Sequence, residues 1–201
     1  MNIRGLYILL LSLVWLNSAR ADDSGMFDKM SIGLEFGTWK PNNLRSTETP
    51  FTISPASKYF YFGSSVMSPI SGNLQLRTTL GYFNYHKNDE TSRKKTVCLI
   101  PVLADLKYLL ISDSRLSPYV SYGAGLYIGD DRFSQIFSSS EDKNTAIGYG
   151  LNFGTGFDLL ITENWAAGLE FRYHYLRFSD VLIFTEDYSG PKINMTVFYL
   201  F

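Results

Sequence analysis

Residues 144–160 read NTAIGYGLNFGTGFDLL, and at period two they sort into two chemically different sets. Ile147, Tyr149, Leu151, Phe153, Phe157 and Leu159 fall on one side; Ala146, Gly148, Gly150, Asn152, Gly154, Gly156 and Asp158 fall on the other. Side chains alternate across a β-strand, so the segment predicts a strand with one apolar face and one small or polar face. Its length suits a tilted strand crossing a hydrocarbon layer ~30 Å thick, which takes about 9–11 residues.

The same alternation recurs on both sides of it. Residues 165–177 oppose Ala167, Leu169, Phe171, Tyr173 and Tyr175 to Ala166, Gly168, Glu170, Arg172 and His174, and residues 118–129 oppose Val120, Tyr122, Ala124, Leu126 and Ile128 to Tyr119, Ser121, Gly123, Gly125 and Tyr127. Residues 30–39 set Ile32, Leu34 and Phe36 against Ser31, Gly33, Glu35 and Gly37, and residues 192–201 (KINMTVFYLF) set Ile193, Met195, Val197, Tyr199 and Phe201 against Asn194 and Thr196. Further strands are expected at 58–68, 73–85 and 96–110. In the first of these, Tyr59, Phe60, Tyr61 and Phe62 offer no contrast between faces. The connections alternate between long (40–57, 86–95, 130–143, 178–191) and short (69–72, 111–117, 161–164), the asymmetry of outer-membrane barrels, with both termini on the short-turn, periplasmic side. Tyr108, Trp165, Tyr175 and Tyr199 stand near strand ends, where an aromatic belt meets the headgroups.

The N-terminus adds a place. Arg4, an apolar run over 6–16 and the pattern Ala19-Arg20-Ala21 have the layout of a cleavable secretory signal, giving residues 1–21 as signal peptide and 22–201 as one barrel domain. Retention of the segment as an anchor is the competing reading, disfavoured by its short apolar run and by Asp22 and Asp23 after it. With 18 basic and 19 acidic residues, nothing in the charge balance points to nucleic acid. Cys98, the single cysteine, has no internal disulfide partner and reads as an apolar strand residue.

Opposite the apolar set lie Glu35, Arg77, Asp105, Lys107, Asp158, Glu170 and Arg172. Each Arg or Lys on the lipid face at mid-depth would cost about 2–4 kcal/mol, so these charges are expected to point inward as a salt-bridged filling of a narrow barrel. An ion or proton path is the sharper alternative. Packing the same charges into a soluble, lipocalin-like core would leave them buried and unpaired, which counts against a soluble periplasmic β-protein. The lumenal glycines are expected to make room for long side chains. The glycine pairs do not complete a G-x-G-x-x-G spacing, and no G-x-S-x-G, H-E-x-x-H or phosphate-loop motif is present. With two His and one Cys, neither a metal site nor another cofactor is expected.

Residues 115–127 (RLSPYVSYGAGLY), residues 154–173 (GTGFDLLITENWAAGLEFRY) and the aromatic terminus resemble the small outer-membrane β-barrel proteins of the OmpA/OmpX-like type. The resemblance implies an eight-stranded antiparallel transmembrane up-and-down β-barrel, integral to the outer membrane of a Gram-negative envelope. It also implies delivery to the outer-membrane assembly machinery through a C-terminal strand ending in an aromatic residue, here Tyr199 and Phe201. Members serve as structural proteins, adhesins or surface-protection factors, and some are enzymes, so the fold does not decide the function. The expected partners are outer-membrane lipid and lipopolysaccharide, with an extracellular ligand held by the long loops; the basic run Arg93-Lys94-Lys95 is a candidate contact for lipopolysaccharide phosphates.

A weaker resemblance links residues 177–180 to the lipid A deacylase barrels, whose motif near the end of the seventh strand is His-x-Ser-Asn. Here the stretch is Arg177-Phe178-Ser179-Asp180. Ser179 matches the nucleophile, but Arg177 replaces the base, and a serine without an adjacent base is a weak nucleophile. His174 could substitute only through a bulge. The leading expectation is therefore a non-enzymatic surface or structural barrel, with a lipid A-modifying hydrolase using Ser179 and His174, or a narrow channel, as alternatives.

Overall fold

A computed structural model describes residues 29–44, 59–88, 94–112, 114–134, 142–182 and 185–201. The proposed signal segment 1–21 and most of the long connections lie outside the described residues. No described helix is long and apolar enough to cross a membrane.

The short turns show how local chemistry sets the topology. Gly72 takes a left-handed conformation (φ 48°) between β2 (Tyr59–Ser71) and β3 (Leu74–Asn88), a geometry that costs a residue with a Cβ. Asn73 then spans to the next hairpin: its carbonyl accepts from Leu109 N at 2.8 Å and its Nδ2 donates to Leu109 O at 2.9 Å, at the end of β4 (Lys94–Leu109). Asn164 does the same beyond β6 (Asp142–Leu160), before β7 (Trp165–Leu182), bracing Leu200 through both its carbonyl and its Nδ2. Between them, β5 (Leu116–Ser134) pairs with β4 and β6 along nearly its whole length.

Antiparallel pairing runs from β1 (Ser31–Trp39) to β7, and the last long strand, β9 (Gly190–Leu200), joins β7 to β1. Eight strands thus close into a barrel, with β8 (Thr185–Asp187) a short return against the outer end of β7. The seam pairs Ser31 with Leu200 and Trp39 with Lys192. At Gly37 the strands approach so closely that an added Cβ would lie 2.7 Å from Asn194 Cα. Pro101 has no N–H to donate, and the β3–β4 register passes from Leu80↔Val102 to Phe83↔Leu99 without pairing Gly81 and Tyr82.

Burial follows the alternation. Ile147, Leu151, Phe153, Met195 and Val197 are exposed on the outer wall, while Asn152, Asp158, Asn194 and Thr196 are buried within. The featureless run resolves as Tyr59 and Tyr61 inward and Phe60 and Phe62 outward. Trp165 and Tyr199 meet edge to face at 5.2 Å on the outer wall at the short-turn rim. Strands extend further toward the long-loop rim than the sequence indicates: β5 continues to Ser134 and β7 to Leu182, where loops were expected from 130 and 178. Ladder hydrogen bonding to the neighbouring strands carries them past the point where side-chain contrast fades.

The lumen is layered. Toward the long-loop rim, Trp39, Tyr61, Phe83, Leu99, Leu103, Tyr127 and Phe178 form an apolar and aromatic plug, joined by Leu44 from the 3₁₀ turn Asn42–Leu44 and by Tyr188 beside β8. Toward the short-turn rim, Met67, Leu109, Tyr119, Leu160, Phe198 and Leu200 form a second plug. The charges lie between.

Candidate functional site

At the centre of the lumen four side chains form a closed ring of alternating sign. Arg77 on β3 places Nη2 2.7 Å from Glu170 Oε1 and Nε 3.3 Å from Asp105 Oδ2. Arg172, two residues beyond Glu170 on the same face of β7, places Nη2 2.9 Å from Glu170 Oε2 and Nη1 3.1 Å from Asp105 Oδ2. Each base contacts both acids, and each acid contacts both bases. The remaining acceptor capacity is used as well: Ser121 Oγ donates to Glu170 Oε1 at 3.1 Å, Asn152 Nδ2 to Asp105 Oδ1 at 2.8 Å and Asn194 Nδ2 to Glu170 Oε2 at 3.4 Å. The space comes from glycine, since a Cβ on Gly154 would stand 2.8 Å from Ser121 Oγ and one on Gly123 would run into Asp105.

Two neutral pairs flank the ring. Toward the long-loop rim, Lys192 Nζ lies 3.3 Å from Glu35 Oε2 across the β1–β9 seam and 3.5 Å from the Tyr61 ring centroid. Thr79 Oγ1 and Tyr61 Oη donate to the same carboxylate, at 3.4 and 3.5 Å. Toward the short-turn rim, Lys107 on β4 pairs with Asp158 on β6, its ammonium 4.1 Å from the Tyr119 ring centroid. Every charge in the three groups is almost fully buried. Buried charges are tolerated when paired and hydrogen-bonded, and each group here balances on its own.

Glu35, Arg77, Asp105, Lys107, Asp158, Glu170 and Arg172 are all buried and fall into these three groups. The sequence reading missed the eighth, Lys192. Four acids against three bases had left one cation wanting, and Lys192 shares parity with Asn194 and Thr196 on the polar face of the last strand; those two signals together identify it.

The structure does not bring Ser179 and His174 together. His174 points inward, its Nδ1 2.8 Å from Tyr127 Oη and its ring 4.8 Å from that of Trp39. Ser179 is exposed, five residues on and of opposite parity, roughly 16 Å along the strand. Asp180 Oδ1 accepts from Val181 N at 2.8 Å, and β7 continues to Leu182. No group of His, Cys, Asp and Glu suited to a metal ion occurs among the described residues. Tyr199 and Phe201 point outward, and Phe201 N donates to Met30 O at 2.9 Å, tying the terminus to the start of β1.

The family model for the outer membrane protein beta-barrel domain matches residues 8–201. Among solved structures, OprG from Pseudomonas aeruginosa is 15% identical with a TM-score of 0.63, covering 89% of this chain and 99% of that one. Neisserial surface protein A is 17% identical with a TM-score of 0.57, covering 86% and 97%. Ail, the attachment invasion locus protein of Yersinia pestis, in complex with the heparin analogue sucrose octasulfate, is 15% identical with a TM-score of 0.52, covering 86% and 97%. At these identities the likeness is one of fold. No curated protein matches the chain by sequence.

Proposed function

The chain belongs to the outer membrane protein beta-barrel domain family and is an integral outer-membrane protein, and from that premise we propose that it is a non-conducting surface barrel: a rigid wall that displays extracellular loops for contact with anionic partners. The observation that carries this reading is the filled lumen. Two apolar plugs enclose three neutral charge groups whose carboxylates all accept hydrogen bonds from within the wall. A water path would have to separate ion pairs that are each desolvated, and breaking one such pair by loss of a partner costs about 3–5 kcal/mol.

The anionic class of partner rests on the sequence at the facing ends of β3 and β4 and the connection between them, where Lys87 is followed by Arg93, Lys94 and Lys95. Phosphate and sulfate groups are matched by such clusters through charge-assisted hydrogen bonds. Ail, with the same fold, has been solved with a polysulfated heparin analogue, which supports polyanion contact as a use of this architecture. The deacylase alternative gains no support from the separation of Ser179 and His174.

Two measurements test the reading. Planar-bilayer recordings of the refolded barrel are expected to show no unit conductance above the lipid background; reproducible steps that respond to Glu170→Gln would replace this reading with the narrow channel. Heparin-agarose should retain the folded barrel, and replacing Arg93, Lys94 and Lys95 together by Gln should abolish retention. Unchanged retention would remove the loop from the assignment.

A further inference from the structure

The outer wall is not uniformly convex with large side chains. Across β4 and β5 the outward positions of one hydrogen-bonded row are Ala104 and Ala124, and the same row continues through Leu151 on β6 to Tyr175 on β7. The next row carries Leu126, Tyr149 and Arg177. Behind them, Gly125 and Gly150 pair backbone to backbone, so the wall is thin there. The result is a groove of about 860 Å³ on the lipid-facing surface, apolar along its length and closed at one end by Arg177.

The groove has a direction. Ala104 lies five residues from the periplasmic end of β4, whereas Tyr175 lies ten from that of β7, so the row climbs toward the extracellular side as it passes from strand to strand. From β3 to β7 it crosses four inter-strand steps of about 4.8 Å, roughly 19 Å in all. Strands in such barrels are tilted by roughly 35–45°, so a row perpendicular to them rises by about one leaflet of a ~30 Å core. Trp165 marks the lower interface of β7, and about ten residues later Tyr175 marks the upper one; Arg177 therefore stands at the headgroups of the outer leaflet. Its side chain is 73% exposed, and its guanidinium leans on Glu186, 3.0 Å away.

We propose that this groove holds one acyl chain of lipid A, with Arg177 binding a phosphate of its headgroup. A slot of about one-leaflet length, floored by Ala104, Ala124, Gly125 and Gly150 and walled by Leu126, Tyr149, Leu151 and Tyr175, accepts a single chain, and the cation at its outer-leaflet end selects a phosphorylated headgroup. Glu186 competes for the same guanidinium and so acts against the phosphate. The assignment needs only the outer-membrane location of the barrel; it is independent of lumen conductance and of the β3–β4 loop.

The test uses the folded mature barrel in neutral detergent, with hexa-acylated lipid A or phosphatidylglycerol added in turn and retained lipid counted by native mass spectrometry. Heat-shifted gel mobility of each variant confirms that it is folded. Wild type should retain one lipid A in preference to phosphatidylglycerol. Ala124→Leu, which fills the slot with apolar atoms the bilayer accepts, should reduce retention about tenfold, and Arg177→Gln by a similar factor. Glu186→Gln should raise it. Equal retention by wild type and Ala124→Leu, equal retention of the two lipids, or a loss on Glu186→Gln would each overturn the assignment.

Discussion

Replacing Glu170 by Gln keeps the shape of the side chain and removes one negative charge from the central ring. Arg77 and Arg172 would then share Asp105 alone, at 3.3 and 3.1 Å from the same Oδ2, with both side chains almost fully buried. Removing one partner of a buried pair costs about 3–5 kcal/mol; because both arginines keep Asp105, the lower end, about 3 kcal/mol, is expected. Arg172→Met, which removes a positive charge from the other corner, should cost about the same by the same reasoning. The double variant leaves Arg77 paired with Asp105 and no charge in excess. Its cost should therefore approach that of one single variant, giving a coupling energy of roughly 2–3 kcal/mol. Guanidinium unfolding of the four proteins in one detergent, followed by Trp39 and Trp165 fluorescence, measures all terms of the cycle. Single-variant costs that add to within about 0.5 kcal/mol would show that the corners act independently, and the ring would have no standing as a unit.

Other outcomes follow from the wall and the seam. Phe153→Arg, on the lipid face of the middle of β6, should destabilise the folded barrel by about 2–4 kcal/mol, while Ile161→Arg at the periplasmic turn should cost about 0–1 kcal/mol; equal urea midpoints would mean the membrane is placed at the wrong depth. Gly37→Val should leave β1 unable to approach β9 and yield no heat-modifiable species on refolding, whereas Gly72→Asn, a residue that tolerates the left-handed region, should fold. Deleting Phe201 should lower the amount of barrel assembled in cells more than deleting any single loop residue does, read from surface proteolysis of membrane fractions, and normal assembly of the truncated chain would deny the terminus that role.

The walls of the barrel were legible because period two is a local property. Residues 144–160 state their two faces without help from any other strand, and β1, β5, β7 and β9 repeat them. Where local contrast is absent the sequence is silent. The run from Tyr59 to Phe62 is decided by what lies opposite: Gly63 and Gly81 leave the volume that Tyr61 fills, its hydroxyl 2.8 Å from where a Cβ on Gly63 would be. The two apolar plugs escaped notice for a related reason. Phe83, Leu99, Leu103 and Phe198 share parity with the charges, but their apolar character gives no sign of which side they face until closure puts them inside. Lys192 was hidden at the margin of its strand, where the pattern has too few residues to show a phase. The pairing of Ser179 with a base was never a local question, and only the continuation of β7 to Leu182 fixes their separation.

The pair Lys192–Glu35 lies across the β1–β9 seam, between the two strands that stand furthest apart along the described chain. Contacts of such separation form late, after the cost of closing a long loop has been met. Before that moment each of these side chains belongs to an unpaired edge and carries its charge alone; afterwards both are buried and cancelled. Zipping of the seam and neutralisation of this group are consequently one event, and the attraction between the two open edges acts before any ladder hydrogen bond has formed. Closure should slow as ionic strength rises, since added salt screens that attraction while the edges are still in water. An ion pair that adds little to the finished wall thus draws its two last edges together.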